Sequence, residues 1–146
     1  MNIVNEMNLN FLAKSVNESF ARGAVSAFVM SLDPTVAEIS DIKTAVSEAV
    51  TNCIVHAYPC EKGKVYINAK ITDTGRVLIR VRDTGRGIEN IKQAMEPLYT
   101  TGGEDRAGLG FAVMQSFMDK VSVRSKPHRG TTVTMEKAII RRGRLE

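Results

Sequence analysis

Apolar and polar positions change period several times along the chain, and each change marks an element. Between Asn5 and Leu12 the residues Met7, Leu9 and Phe11 alternate with polar ones, the period of a half-buried strand. Ser15-Val16-Asn17-Glu18 has the form of a capping box, so a helix is expected next, with Phe20, Ala24, Ala27, Phe28 and Leu32 on one side. Asp33-Pro34-Thr35 ends it. Thr35 and Glu38 form a second capping box that opens a long helix to about Ala57, with a stripe of Ile39, Ile42, Val46, Ala49, Cys53 and Ala57 at spacings of three and four. Pro59 stops this helix. Two strands follow, at Lys64–Thr72 and 76–82, around the turn Asp73-Thr74-Gly75; Val77, Ile79 and Val81 alternate with Arg76, Leu78, Arg80 and Arg82. Residues 83–108 are glycine-rich and irregular around a short helix near 89–95. A third main helix is expected near 109–118, then strands at 120–125 and 131–137 about the turn Pro127-His128-Arg129-Gly130.

The order β-α-α-β-β-α-β-β departs from the alternation of a doubly wound parallel sheet. It predicts an α+β fold of two layers, with helices on one face of a mixed, mostly antiparallel sheet. No linker or internal repeat interrupts it, so residues 5–137 read as one domain and the basic stretch 138–146 as a flexible tail. With 146 residues, 43% hydrophobic and 25% charged, the chain has enough apolar material for one core and is not disordered. No apolar run approaches the roughly 20 residues of a membrane-spanning helix. The N-terminus has no signal-peptide pattern, and two cysteines, Cys53 and Cys60, without a CxxC, fit neither a disulfide framework nor a zinc site. The expected compartment is the cytoplasm. Charge is uneven: residues 1–60 balance to −3 and residues 61–146 to +7. A basic half suits a phosphate-bearing ligand, nucleic acid or an acidic protein, and is equally a solvated basic surface.

Four groups of residues carry candidate chemistry. Glu48 and Asn52 share a face of the long helix, beside its core stripe at about 100° per residue, where a solvated polar edge is the ordinary alternative. Asp83-Thr84-Gly85-Arg86-Gly87 ends a strand. Its glycines permit close backbone approach to a ligand and its Asp can accept from an exocyclic amine; a plain turn needs the same residues. Gly102-Gly103 suits a lid, while Gly108-Leu109-Gly110 opens a helix whose free N–H groups favour phosphate, with Arg106 just before it. This is neither a P-loop nor a Rossmann fingerprint. Gly130-Thr131-Thr132 starts the last strand, where hydroxyls can close a purine pocket or simply fit a β-branched strand.

Taken in order, these four groups resemble the ATP-binding fold of the GHKL superfamily. Ser47-Glu48-Ala49-Val50-Thr51-Asn52, with Asn17-Glu18-Ser19-Phe20-Ala21-Arg22, His56-Ala57-Tyr58, Pro97-Leu98-Tyr99-Thr100-Thr101 and Gly108-Leu109-Gly110-Phe111, narrows the resemblance to the anti-sigma F family of endospore-forming bacteria, in the serine-kinase branch. The resemblance spans about residues 5–137. It implies that Asn52 coordinates Mg²⁺ on the ATP phosphates and that Glu48 is the general base. It implies further that Asp83 binds the adenine amino group, with Gly85 and Gly87 in the same turn. Gly108 and Gly110 face the phosphates, with Arg106 beside them, and Thr132 helps close the adenine pocket.

The implied substrate is a serine of a small anti-anti-sigma (STAS-type) partner. The second implied activity is the inhibition of a sporulation sigma factor by a homodimer, with Glu18 and Arg22 in partner contact. Two other classes compete. A nucleotide-gated sequestering module would bind the partners without transferring phosphate. Nucleic-acid binding by the basic half is opposed by the scarcity of stacking positions, since there is no Trp and aromatics are 5% of the chain.

Overall fold

The computed structural model describes residues 2–58, 63–88 and 110–139. In chain order the elements are β1 (Ile3–Leu12), α1 (Asn17–Val29), α2 (Val36–Asn52), β2 (Lys64–Thr72), β3 (Arg76–Asp83), α3 (Gly110–Phe117), β4 (Lys120–Lys126) and β5 (Gly130–Ala138). A 3-10 turn at Met30–Leu32 follows α1, and a π-helical turn at Cys53–Ala57 continues α2. The expected helix at 89–95 and the stop at Pro59 lie outside the described residues.

The strands form one sheet in the order β1-β2-β3-β5-β4. All the pairings among the described residues are antiparallel, where a mixed, mostly antiparallel sheet was expected. The reason lies in the placement of β5. The crossover through α3 brings β4 back in the same direction as β3, but β5 returns between them and takes both ladders, so no parallel ladder forms. Alternation puts Val65, Ile67, Ala69 and Ile71 of β2, Val77, Ile79 and Val81 of β3, and Val133 and Met135 of β5 on one buried face. They share a single core with Ala21, Val25 and Val29 of α1, Ile42, Val46 and Ala49 of α2, and Phe111 and Met114 of α3. Two layers result, helices on one face of the sheet, as the element order predicts. None of the described helices is long and apolar enough to cross a membrane.

The first helix differs from its expected form in two ways. Its buried stripe is Ala21, Val25 and Val29, one step round from the stripe expected on Phe20, Ala24, Ala27 and Phe28; of the expected positions, Leu32 in the turn that follows is buried and Phe28 is half-buried against the core. Small and β-branched residues let α1 sit close to its neighbours. Phe20, 55% exposed, instead meets Phe11 of β1 edge-on with ring centroids 6.0 Å apart. The Ser15–Glu18 box does not form. The helix starts after Val16 with no side-chain cap, and the Glu18 carboxylate accepts from the Ser47 hydroxyl on α2 instead. A tertiary partner has displaced the local one. The second box forms as read: Glu38 N–H donates to Thr35 Oγ1 at 3.1 Å and Thr35 N–H to Glu38 Oε1 at 2.9 Å.

Candidate functional site

The C-terminal end of α2 organises the site. Glu48 and Asn52 lie one turn apart on it and are half-buried. Directly after Asn52 the helix widens into the π turn, a distortion that recurs at functional sites. Cys53 and Ala57 of this turn are buried, and His56 is half-buried. The turn is tied to the loop after β3: Arg86 N–H donates to the Ala57 carbonyl at 3.0 Å, and Thr84 N–H donates to the Tyr58 hydroxyl at 2.8 Å. Tyr58 in turn donates to the Lys64 carbonyl at 2.9 Å.

Asp83 closes β3 and is 5% exposed. Its Oδ1 accepts from Gly85 N–H at 3.0 Å and from Thr131 N–H at 3.2 Å. Burial raises the Asp83 pKa above the ordinary carboxyl value, against the opposing pull of these donors and of Arg82. Burial, and then the nearby Asp83 charge, raise the Cys53 thiol well above its ordinary value. Because the folded pKa of Asp83 lies above the unfolded one, its contribution to stability is complete at acid pH and is lost as pH rises through the raised value. Asp83→Asn is therefore expected to gain stability on the wild type over that window and to keep the gain at neutral pH. Urea midpoints of the ligand-free proteins between acid and neutral pH test this, and a gap that narrows as pH rises would contradict it.

Gly87 lies under the β4–β5 hairpin: a Cβ on it would stand 2.1 Å from the Lys126 carbonyl oxygen, and its φ is +75°. Ser125 fastens the two segments. Its hydroxyl accepts from Ile88 N–H at 2.7 Å, donates to the Gly130 carbonyl at 2.9 Å and lies 2.8 Å from Thr131 Oγ1. Gly110, the first residue of α3, faces Asn52. A Cβ there would stand 3.1 Å from Asn52 Nδ2 and 3.2 Å from Oδ1, so the missing side chain leaves the Asn52 amide in contact with a helix N-terminus. Asn52 thus meets Gly110, with Glu48 one turn up α2, while Asp83 and Gly85 are joined by a hydrogen bond and Gly85 lies against Ala57 of the π turn that follows Asn52.

Thr132 is not brought into this group. It pairs with Arg82 in the β3–β5 ladder, and alternation turns it to the sheet face away from Asp83. Thr131, opposite Asp83, shares its face and supplies the N–H. The GTT motif does not say which hydroxyl points inward, because a shift of one residue exchanges the faces. Sequence reading also missed Tyr58 and Ser125; only the chain's return through β4 and β5 gives Ser125 its role. Arg106 and Gly108 lie outside the described residues.

Glu18 and Arg22 sit away from this group, on α1. Arg22 Nε lies 3.7 Å from Glu18 Oε2, and Glu18 also takes the Ser47 hydroxyl, one residue before Glu48. Beside them a groove of about 520 Å³ between α1 and α2 is lined by Arg22, Lys43 and the hydroxyls of Ser19, Ser40, Thr44 and Ser47. Among the described residues no group of three His, Cys, Asp or Glu converges for a metal ion.

Residues 12–137 match the family described as histidine kinase-like ATPase domain. The chain is 56% identical over 140 residues to a protein of Thermoanaerobacter sp. (strain X514) named Anti-sigma F factor, covering 95% of this chain and 97% of that one. It is 57% identical over 136 residues to one of the same name from Caldanaerobacter subterraneus subsp. tengcongensis, covering 92% and 94%. A third of that name, from Clostridium perfringens (strain SM101 / Type A), is 53% identical over 134 residues, covering 91% and 96%. Among solved structures, the RsbU and RsbW domains of a Mycobacterium tuberculosis protein superpose with a TM-score of 0.69 at 18% identity, over 93% of this chain and 32% of that one. The catalytic domain of the histidine kinase ThkA superposes with a TM-score of 0.57 at 18% identity, over 95% and 97%. These two likenesses concern the fold.

Proposed function

The chain belongs to the anti-sigma F factors, within the histidine kinase-like ATPase domains, and from that premise we propose that it is an ATP-dependent protein serine kinase that also inhibits a sporulation sigma factor. Its phosphate acceptor in this reading is a serine of an anti-anti-sigma partner. The observation that carries the reading is the Asn52 amide against the first residue of α3, with Glu48 one turn away on the same rigid helix.

Asp83 accepts from the adenine amino group, and the α3 N-terminus, with Arg106 and Gly108 before it, faces the phosphates. Asn52 offers one amide oxygen in the cradle left by Gly110. That oxygen would hold Mg²⁺, which would supply charge neutralisation at the phosphates. Glu48 accepts the proton of the serine hydroxyl as that oxygen bonds to the γ-phosphorus and ADP leaves with the electrons of the broken bond. Positioning and electrostatics supply the rest of the rate.

Glu18 and Arg22, beside a groove with a second cation at Lys43, suit an acidic partner surface. Ile3, Val4 and Leu12 are exposed along the edge strand β1, with Phe20 exposed on α1, and support a homodimer. The chain acts in this reading in the bacterial cytoplasm. The test is to mix the protein with Mg²⁺, γ-labelled ATP and the anti-anti-sigma protein of the same genome. Label on a partner serine is the expected result. ATP binding without label would instead leave a nucleotide-gated sequestering module.

A further inference from the structure

The π turn has Asn52 just before its start and Tyr58 just past its end. The Tyr58 hydroxyl joins three segments. It accepts from Thr84 N–H at 2.8 Å, donates to the Lys64 carbonyl at the start of β2 at 2.9 Å, and lies 3.2 Å from Thr84 Oγ1. The preceding residue supplies a second anchor, since the Ala57 carbonyl accepts from Arg86 N–H at 3.0 Å. Three successive N–H groups after β3 are therefore engaged in alternation. Thr84 and Arg86 donate to the end of the π turn, and Gly85 between them donates to Asp83 Oδ1 at 3.0 Å. Peptide planes are rigid and each residue has two soft dihedrals, so holding the outer two groups keeps the Gly85 peptide aimed at the carboxylate. The packing is close on both sides. A Cβ on Gly85 would stand 2.2 Å from the Ala57 carbonyl oxygen, and one on Gly63 would stand 2.2 Å from Cε1 of the Tyr58 ring. The missing side chain of Gly63 makes room for the ring, and the ring places the hydroxyl.

We propose that Tyr58 is a positioning residue for nucleotide binding, its hydroxyl fixing the loop of Asp83 and Gly85 to the end of the helix that carries Asn52. The base and the phosphates of one ATP then find their partners at a set separation. The inference rests on the assignment of Asp83 to adenine and of Asn52 to the phosphate side. A residue that served only the fold would affect every ligand of the site alike. One that places the base-binding loop affects ligands that carry a base and spares a base-free triphosphate.

The experiment measures binding of ATP and of inorganic tripolyphosphate to the full chain by calorimetry in the presence of Mg²⁺. Wild type, Tyr58→Phe and Asp83→Asn are compared, with thermal midpoints taken alongside. Tyr58→Phe keeps the ring against Gly63 and removes only the hydroxyl. It is expected to weaken ATP about three- to tenfold, the range of one net hydrogen bond, and to leave tripolyphosphate unchanged. Amide hydrogen exchange of the ligand-free proteins, read by NMR, gives the local signature. The Thr84 amide should exchange about three- to tenfold faster in Tyr58→Phe, with the Val81 amide of β3 unchanged. Equal weakening of both ligands would assign Tyr58 to the fold in general and overturn the proposal. So would unchanged exchange at Thr84. An Asp83→Asn variant that loses no ATP affinity would overturn the adenine assignment itself and this inference with it. ATP binding that is weakened in Asp83→Asn but intact in Tyr58→Phe would overturn this inference alone.

Discussion

Replacing Glu48 with Gln is expected to lower phosphate transfer to the partner serine by about 10²–10⁴-fold, the usual contribution of a positioned general base. Nucleotide affinity should stay close to that of the wild type. Glutamine keeps the volume and most of the hydrogen-bonding capacity of the side chain but does not take up a proton at neutral pH. Glu48 lies on the regular part of α2, which is packed through Ile42, Ala45, Val46, Ala49 and Val50, so the substitution should leave the backbone in place. Asn52 then continues to hold its position, and the residual rate comes from orientation and charge neutralisation. Single-turnover transfer from γ-labelled ATP, with ATP affinity measured separately, separates the two quantities. Transfer at the wild-type rate would remove Glu48 from the mechanism. A parallel fall in affinity would make it a binding residue.

Gly130→Ala is expected to cost stability and nucleotide binding together. Gly130 has φ +108°, and an added Cβ would stand 2.2 Å from the Asp83 carbonyl oxygen and 2.7 Å from the Thr84 Cα. Both neighbours are backbone atoms at the end of β3, with no side-chain freedom to absorb the clash. The ladder must open just where Thr131 N–H reaches Asp83 Oδ1, so the carboxylate loses one of its fixed donors. Left-handed strain and overpacking together suggest a loss of about 2–4 kcal/mol. For a domain of this size that is a fall in thermal midpoint of roughly 6–15 °C. Thermal unfolding and ATP titration of the same preparation test it. An unchanged midpoint, or a large fall in stability with ATP affinity intact among the folded molecules, would contradict the link between this hairpin and the Asp83 pocket.

The amino-acid sequence by itself determined the elements among the described residues and the layer in which each lies. Period-two and period-three-to-four patterns are local and strong, so the β2, β3 and α2 faces are legible from Val77, Ile79 and Val81 or from Ile42, Val46 and Ala49. The Thr35–Glu38 box is legible for the same reason, since both partners lie within one turn. Glu48 and Asn52 share a helix face by spacing alone. The tertiary structure decided whatever depends on a partner distant in sequence. Glu18 turns from a local cap to Ser47 because α2 packs beside it, and α1 buries Ala21 and Val25 rather than Phe20 because close packing favours the smaller side chains. The insertion of β5 between β3 and β4 makes the sheet antiparallel among the described residues, and its register turns Thr131 rather than Thr132 toward Asp83. A hydrogen bond between residues distant in the chain leaves no periodic trace in it, and Ser125 meets the Ile88 N–H only once β4 has returned to the segment after β3.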